Sequence, residues 1–425
     1  MTMRTFTALR RRSKLVMVVG LGCALGLVSL GACGTSSGGG SATGPIPIGM
    51  LGPLTGPAGF AGQGIADGAN VAIDAINAAG GVTGRKLTLI PGDDHLDPVD
   101  AITVAQHQIS INHIVATIGP AANTLTATQR YYDAAHVPVI MWGGDDEFGP
   151  ISDPLIWRCT PGDSQEGTAM ALYAYKAGHR HPAFFFGTDA NGATLGAAVR
   201  KAWIKLAGKP SIAADASFAT GASSFRSEVS KLIAAHPDVI IFRTFGADAG
   251  VFFSNLRELN GLKIPMVSDD NSGAAAYAKV VGYGAVNGVL TSIQAGVISN
   301  PGVAIFNSLY KKYKGKQPVL LANTAYDGMN MLALAMVKAN SLNGIAVAKA
   351  IPEVENPNGI PVYSFAQGLA ALKAGKTIHY DGVNSDMIPD PHHQVYGPFA
   401  AYRWVHNQTV FVLNMPTKEV AAAGS

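Results

Sequence analysis

The chain alternates between short apolar runs and longer amphipathic stretches, and this alternation predicts strands and helices in turn. An apolar run at 46–51 ends in a loop rich in glycine and proline, which predicts a strand. Residues 64–79 place apolar residues such as Ile65, Ala69 and Ile76 on one face, which predicts a helix. The same criteria predict strands at 86–91, 114–118 and 137–142, and helices at 98–109 and 125–135. Strands that alternate with helices indicate βαβ units and a parallel sheet.

The pattern restarts after residue 180, so we predict a second α/β half. Its predicted strands lie at 181–186, 239–242 and 265–268, and the predicted helices lie at 193–206, 224–235, 247–260, 303–313 and 325–339. Towards the end, strands at 394–403 and 409–413 flank Asn407-Gln408, which predicts a β-hairpin. A length of 425 residues allows two or three lobes, each large enough to bury its own core.

The first 45 residues have the composition of an export signal followed by a tether. Five basic residues within the first 14 precede an apolar run at 15–30, which is shorter than the about 20 residues that a membrane span needs. Small residues before Cys33 resemble the bacterial lipobox, and Gly and Ser dominate residues 34–44. We therefore predict a signal peptide at 1–32 and a flexible tether at 33–45, in which Cys33 carries a lipid.

Alternatives stay open for this segment. An ordinary secretory signal that happens to contain a cysteine would leave Cys33 without a lipid, and Arg11-Arg12 leaves the choice between general and twin-arginine export open. Cys23 lies within the signal, so Cys159 is alone in the body. We therefore expect no internal disulfide and predict that Cys159 is a buried structural thiol.

The charge balance of the body excludes one class of partner. The chain has 31 basic and 28 acidic residues, but five of the basic residues lie in the first 14 positions, so the rest carries 26 basic and 28 acidic residues. A net charge of −2 gives no electrostatic case for binding nucleic acid. Hydrophobic residues make up 48% of the chain, which excludes global disorder.

Catalytic motifs in the sequence do not lie in a context that supports catalysis. Residues 34–38 match G-x-S-x-G, but they lie in the predicted tether and not at a strand-to-helix turn. H-E-x-x-H and C-x-x-C do not occur, and the glycines at 80–86 lack the spacing of a phosphate-binding loop. Asp390, His392 and His393 could hold a metal, with solvated surface histidines as the alternative. We expect neither an enzyme nor a cofactor.

Several short motifs resemble one protein family in their order and spacing. They are Gly52-Pro53-Leu54-Thr55-Gly56-Pro57, the stretch 75–86, Asp93-Asp94 with Asp97-Pro98, Ile118-Gly119-Pro120, Val137-Pro138-Val139-Ile140, Arg158, Asp163 and Tyr380-Asp381-Gly382-Val383. Together they resemble the type I periplasmic solute-binding proteins of the branched-chain amino acid and amide group, over about residues 46–412.

The resemblance implies a fold and a function. It implies two Rossmann-like lobes joined by three hinge strands, the first at 46–160 plus about 295–390 and the second at 161–294 plus about 391–425. A small polar ligand would close the cleft between them, and a monomer anchored to the membrane by its lipid would deliver that ligand to an ABC permease and its ATPase. The alternative is a related lipoprotein that senses or scavenges its ligand and feeds no permease.

Candidate ligand-binding residues follow predicted strands, because parallel sheets bind ligands beyond the carboxyl ends of their strands. In the first lobe they are Phe60, Asn123, Thr124, Gly144, Asp145 and Asp146. Backbone N–H groups at 121–124 could hold a carboxylate, whereas Asn123 and Thr124 could simply cap the helix. The acids at 145–147 would repel a carboxylate unless they point into solvent. Phe60 would line the cleft or pack in the core.

The second lobe adds four candidates: Asn191, Phe245, Asp269 and Asp270. Phe245 resembles the aromatic wall that relatives present, and Asp269-Asp270 stands where relatives hold an acid for the ligand ammonium. Arg243 is the one cation directly after such a predicted strand. We therefore expect a ligand with an amine, amide or hydroxyl groups and not a plain acid.

Overall fold

Strands and helices alternate along the chain, which confirms the predicted α/β class. The computed structural model describes residues 44–56, 58–144, 153–296, 298–385 and 387–425. Within these ranges the strands form two large sheets and one two-stranded sheet. Helices cover both faces of each large sheet, so the body has two Rossmann-like lobes.

The strands are numbered in chain order. They are β1 (Ile46–Gly52), β2 (Leu87–Asp93), β3 (Ala116–Ile118), β4 (Val139–Met141), β5 (Ile156–Arg158), β6 (Pro182–Gly187), β7 (Ala214–Phe218), β8 (Val239–Phe242), β9 (Met266–Ser268), β10 (Leu290–Ala295), β11 (Ile360–Val362), β12 (Ile378–Tyr380), β13 (Phe399–Val405) and β14 (Gln408–Met415).

The helices are numbered in the same way. They are α1 (Gly59–Ala78), α2 (Pro98–Ser110), α3 (Ala122–Ala135), α4 (Asp163–Lys176), α5 (Ala190–Ala207), α6 (Arg226–Ala234), α7 (Ala247–Glu258), α8 (Ala275–Val281), α9 (Tyr283–Val286), α10 (Pro301–Lys314), α11 (Ala322–Ala339), α12 (Gly344–Val354), α13 (Phe365–Lys373) and α14 (Thr417–Gly424).

Lobe 1 is built on a parallel sheet with the order β2-β1-β3-β4-β5. Helices α1 and α11 cover one face and α2 and α3 the other, so Ile48 and Met50 of β1 are fully buried. Local chemistry sets where the helices begin. Asp97, for example, accepts hydrogen bonds from the N–H groups of Val99 (2.7 Å) and Asp100 (3.1 Å), and so caps α2.

Lobe 2 is built on a sheet with the order β14-β13-β10-β9-β8-β6-β7. Strands β6 to β10 pair in parallel, whereas β13 pairs antiparallel with both β10 and β14. The hairpin predicted near Asn407 is therefore confirmed as β13 and β14. Helices α4, α5 and α14 cover one face of this sheet, and α6 to α9 cover the other.

The chain passes between the lobes three times. We call these passages the crossing segments, and they comprise residues 159–162, 296–300 and 381–398, of which 297 and 386 lie outside the described ranges. The first leaves β5 of lobe 1 for α4, the second returns from β10 to α10, and the third leads from β12 to β13. Cys159, in the first segment, is buried as predicted, and its Sγ donates to the carbonyl of Thr324 (3.3 Å).

The helices were also compared with the length and hydrophobicity that a membrane span requires. No single helix of the described chain is long and apolar enough to cross a membrane, although α11 and α12 pass by length and composition as a pair bent by 107°. The predicted signal peptide and Cys33 lie outside the described residues.

Candidate functional site

The carboxyl ends of the parallel strands in both lobes face a common cavity of about 480 Å³. Residues that follow β3 and β4 line it from lobe 1, and residues that follow β6, β8 and β9 line it from lobe 2. A volume of this size suits a small molecule, and the edge beyond strand ends is where open α/β sheets bind ligands. The cavity between the lobes is therefore the candidate site.

The described residues of the lobe-1 wall offer hydrogen-bond donors and carry no charged side chain. Ala121, Ala122 and Asn123 line the cavity at the start of α3, where the first backbone N–H groups have no partner within the helix. Such a helix start favours an acceptor or an anion. Phe60, from α1, and Trp142, after β4, add aromatic surface.

Gly144 marks a close approach between the lobes. Its carbonyl accepts hydrogen bonds from the backbone N–H of Asp163 (2.6 Å) and from Nη1 of Arg158 (3.0 Å). A Cβ at this position would lie 2.0 Å from Oδ1 of Asp163. A side chain at position 144 would therefore push the loop after β4 away from the start of α4.

Arg243 is the centre of the lobe-2 wall. Its Nε lies 3.3 Å from Oδ2 of Asp269, and its Nη1 lies 3.4 Å from Oδ1 of Asp189. Burial acts to lower the pKa of Arg243, but the neighbouring carboxylates outweigh it and hold that pKa above its usual value. The guanidinium is thus already paired with two carboxylates and is poorly placed to hold a carboxylate of the ligand.

Three further acids line the lobe-2 wall: two on α4 and one, Asp270, in the turn after β9. Asp163 and Glu166 lie in the first turn of α4, and Oε1 of Glu166 accepts from the backbone N–H of Asp270 (2.8 Å). Burial, together with the charge of Asp269, raises the pKa of Asp270 to about 7. Burial and the charges of Asp270 and Asp269 raise the pKa of Glu166 well above its usual range. A cation beside Asp270 or Glu166 would favour the ionised form of that carboxyl group.

The described cavity lining therefore carries five carboxyl groups and one guanidinium. The acids are Asp163, Glu166, Asp189, Asp269 and Asp270, and all six charged side chains belong to lobe 2. The arrangement places an acid-rich wall opposite a wall of backbone N–H groups. A ligand with a positive or hydrogen-bond-donating end and an acceptor end suits this polarity.

The structure brings most of the predicted site residues to this cavity. Those that line it are Phe60, Asn123, Gly144, Asn191, Phe245, Asp269 and Asp270. Asn191 donates from Nδ2 to Oδ2 of Asp163 (2.8 Å), and Phe245 is 41% exposed. Asp145 and Asp146 lie outside the described residues.

Thr124 does not line the cavity, and neither Asn123 nor Thr124 caps α3, which was the alternative role considered for both. Helix α3 begins at Ala122 and not at Leu125, so both side chains lie inside its first turn. Thr124 is fully buried and donates to the carbonyl of Ala121 (3.2 Å), while Asn123 donates from Nδ2 to the carbonyl of Leu96 (3.0 Å).

Sequence reasoning missed several residues that line the cavity, among them Trp142, Asp189 and the acids Asp163 and Glu166 of α4. A signal existed for the two acids of α4. They are three residues apart and follow Pro161-Gly162, a turn that can begin a helix, so they share one face of its first turn.

The candidate metal ligands near residue 390 have other roles. The ring of His393 stacks on Trp157 with 3.8 Å between centroids, and its Nδ1 lies 2.9 Å from the carbonyl oxygen of Ile156. Asp390 accepts from the backbone N–H of His392 (2.8 Å). The residues that the structure describes contain no group of three His, Cys, Asp or Glu side chains placed to hold a metal ion.

Comparison with known sequences agrees with this architecture. The profile of the periplasmic binding protein family matches residues 45–409. The Leu/Ile/Val-binding protein homolog 1 of Brucella suis biovar 1 (strain 1330) is 27% identical over 320 residues, which cover 74% of this chain and 84% of that protein. An amino acid binding protein of Pseudomonas aeruginosa is 27% identical over 230 residues, which cover 53% of this chain and 60% of that protein.

Solved structures share the fold. The leucine binding protein LivK of Thermotoga maritima has a TM-score of 0.71 at 19% identity, covering 88% of this chain and 99% of its own. LivJ of Streptococcus pneumoniae, in complex with isoleucine, has a TM-score of 0.70 at 18% identity, covering 87% of this chain and 100% of its own. A solute binding protein of R. palustris, in complex with benzoate, has a TM-score of 0.67 at 17% identity, covering 88% of this chain and 97% of its own.

Proposed function

The chain belongs to the periplasmic binding protein family, and from this premise we propose that it captures a small polar solute between its two lobes outside the cytoplasm. The observation that carries the proposal is the cavity of about 480 Å³ at the facing strand ends, with an acid-rich wall on one side and helix N–H groups on the other. Capture without chemistry fits the described lining, in which Arg243 is paired with Asp189 and Asp269.

The charge of the walls supports a ligand that carries an ammonium, amide or hydroxyl group. Asp270 takes part in no salt bridge within the described ranges, whereas the carboxylate of Asp269 already contacts Arg243. A ligand cation would therefore lie near Asp270 and Glu166. Its acceptor end would lie near Asn123 and the start of α3. The relatives bind different solutes: LivJ was solved with isoleucine and the R. palustris protein with benzoate.

A thermal-shift screen tests the proposal. The panel comprises amino acids, amides, polyamines, polyols and aromatic acids, each added at about 1 mM to the purified protein. A compound that binds only the folded state raises the melting temperature, because at a free concentration c it stabilises that state by RT ln(1 + c/Kd). We expect a hit among the compounds that carry an amine, amide or hydroxyl group. Stoichiometric binding with no product formed supports capture, and turnover of the compound contradicts it.

Ligand affinity is expected to depend on pH in one direction. With a pKa of about 7, Asp270 is mostly protonated at pH 6 and ionised at pH 8. A cationic ligand pairs with the ionised carboxyl, so binding releases a proton. The affinity should therefore rise with pH below about pH 7, by up to about tenfold per pH unit, and level off above it. Calorimetry at several pH values measures this, and Asp270→Asn should flatten the profile. An affinity that stays constant or falls with rising pH contradicts the assignment.

We also propose that a lipid on Cys33 anchors the protein to the membrane, with residues 1–32 removed as the signal peptide. The proposal rests on the small residues before Cys33 and on the Gly/Ser-rich tether. Cys33→Ala should move the protein from the membrane fraction to the soluble fraction, and Cys23→Ala is the matched control that should not. Fractionation followed by immunoblotting measures this. If Cys33→Ala stays with the membrane as firmly as the wild type, the anchor lies elsewhere.

Delivery to an ABC permease and its ATPase is the last element of the proposal. It is supported by LivJ, which is described as the substrate binding protein of a transporter. Uptake of the labelled hit by cells with and without the gene tests delivery directly. Loss of uptake in the deletion strain supports transport, whereas unchanged uptake favours the alternative of a sensor or scavenger.

A further inference from the structure

Helix α11 holds the start of the third crossing segment through one buried carboxylate. Asp327 accepts hydrogen bonds from the hydroxyl of Tyr380 (2.8 Å) and from the backbone N–H groups of Val383 (2.8 Å) and Asn384 (2.8 Å). Burial raises the pKa of Asp327 to about 7, while the three donors act to lower it. None of these four residues lines the ligand cavity.

Asn384 connects the third crossing segment to the first. Its side chain is only 2% exposed, and its Nδ2 donates to the carbonyl of Cys159 (3.0 Å). Its Oδ1 accepts from Nδ2 of Asn323 on α11 (2.9 Å). Cys159 itself donates from Sγ to the carbonyl of Thr324, one residue further along the same helix. The first and third segments are thus bound to each other and to α11.

Asn300 connects the second crossing segment to the third. Its Nδ2 donates to Oδ1 of Asp381 (3.0 Å) and to the carbonyl of Gly382 (2.7 Å). Its Oδ1 accepts from the N–H of Gly302 (2.9 Å), which caps α10. One side chain therefore begins a helix of lobe 1 and holds two crossing segments together.

The third segment changes lobes within a very short stretch. His393 still belongs to lobe 1, because its carbonyl accepts from the N–H of Arg158 (3.2 Å) and its ring stacks on Trp157. Val395 already belongs to lobe 2, because its carbonyl accepts from Nε2 of Gln165 on α4 (3.2 Å). Gln394 lies between them, and its bonds stay within the same segment: its N–H donates to Oδ1 of Asp390 (3.1 Å) and its carbonyl accepts from the N–H of Asp390 (2.8 Å).

The first and second crossing segments also run from residues held in one lobe to residues held in the other. Gly296 belongs to lobe 2, because its N–H donates to the carbonyl of Pro398 (2.7 Å), while Asn300 is held in lobe 1. In the first segment, Cys159 is held in lobe 1 and α4 begins at Asp163. Residues 160–162 of the first segment and 298–299 of the second therefore lie between the residues that are held in one lobe and those that are held in the other.

We propose that Asn300 and Asn384 are positioning residues that couple the lobe-1 ends of the three crossing segments, so that, among the described residues of these segments, rotation of the lobes is confined to 160–162, 298–299 and Gln394. Closure around a ligand then turns the lobes as rigid bodies about these stretches. Loss of either asparagine frees the ends of two segments at once. The coupling is a property of the fold and does not depend on which solute binds.

Hydrogen–deuterium exchange of the ligand-free protein, read by mass spectrometry, tests the coupling. Asn384→Ser should speed exchange by at least about threefold in peptides covering 381–385 and also in those covering 156–163, although the substitution lies more than 200 residues away in sequence. Asn300→Ser keeps an oxygen that can cap α10 and should speed exchange in peptides covering 296–302 and 381–385.

Two controls separate coupling from a general loss of stability. Asn255 is a buried asparagine of lobe 2 whose Oδ1 accepts from the N–H of Phe225, and Asn343 caps α12. Asn255→Ser is the control for Asn384→Ser, and Asn343→Ser is the control for Asn300→Ser. Neither control should change exchange in any crossing segment.

Exchange that rises only around the substituted residue, or equally in the controls, overturns the proposal. If Asn384→Ser does not fold, Asn300→Ser decides between the same two outcomes.

Discussion

Replacing Asp270 with asparagine is expected to weaken the binding of a cationic ligand by about 2–5 kcal/mol, because the substitution removes the half-buried charge that would pair with the ligand. Asparagine has nearly the same shape, so the cavity of about 480 Å³ is kept. Calorimetry with the hit from the screen measures the change. The matched control is Asp248→Asn, since Asp248 is buried in lobe 2 but does not line the cavity.

The same titration should be run with Asp269→Asn and Asp145→Asn. Asp269 contacts Arg243, so its loss would also leave that guanidinium with one carboxylate fewer. Asp145 lies outside the described residues but follows β4 in the sequence. If all three variants bind within about twofold of the wild type, which is about 0.4 kcal/mol, these carboxylates do not contact the ligand. Family membership would then stand, but the assigned ligand class would fall.

Replacing Asp327 with alanine is expected to lower the free energy of unfolding by about 3–9 kcal/mol. The substitution leaves the N–H groups of Val383 and Asn384 and the hydroxyl of Tyr380 buried without their acceptor, and each such group costs about 1–3 kcal/mol. Urea unfolding measures the change. Asp74→Ala, at an exposed position of α1, is the control and should change stability by no more than about 0.5 kcal/mol. A loss below about 1 kcal/mol for Asp327→Ala would mean that the crossing segment does not depend on this carboxylate.

The sequence predicted the regular part of lobe 1 well because its elements have clear boundaries. Strand β1 is a buried apolar run that ends in a turn, and α2 begins at Pro98 directly after the capping residue Asp97. Strand β8 was predicted with its bounds as observed. In each case the local signal and the tertiary environment agree.

The missed elements lack such a signal. Helix α4 is buried on nearly all sides from Gly167 to Ala174, so it has no polar face and no helical alternation of apolar and polar residues. Strand β5 has only three residues, and β7 is mostly exposed at the edge of its sheet. Tertiary packing, and not local pattern, determines these elements.

The site was partly predictable where it follows strands, although Trp142 after β4 and Asp189 after β6 were missed, and it was unpredictable where it follows from helix packing. Asp269 and Asp270 were found because they come directly after β9. Asp163 and Glu166 were missed because α4 was missed. Thr124 was misplaced because α3 begins three residues earlier than its apolar periodicity indicates.

Small-angle X-ray scattering with and without the screened ligand tests the central claim most directly. If one solute contacts both walls of the cavity, only the closed arrangement makes all the contacts, so the ligand shifts the lobes toward closure. We predict a smaller radius of gyration at saturating ligand, and no change on adding a compound that failed the screen. An unchanged radius with a ligand whose tight binding calorimetry has established would contradict capture between the lobes.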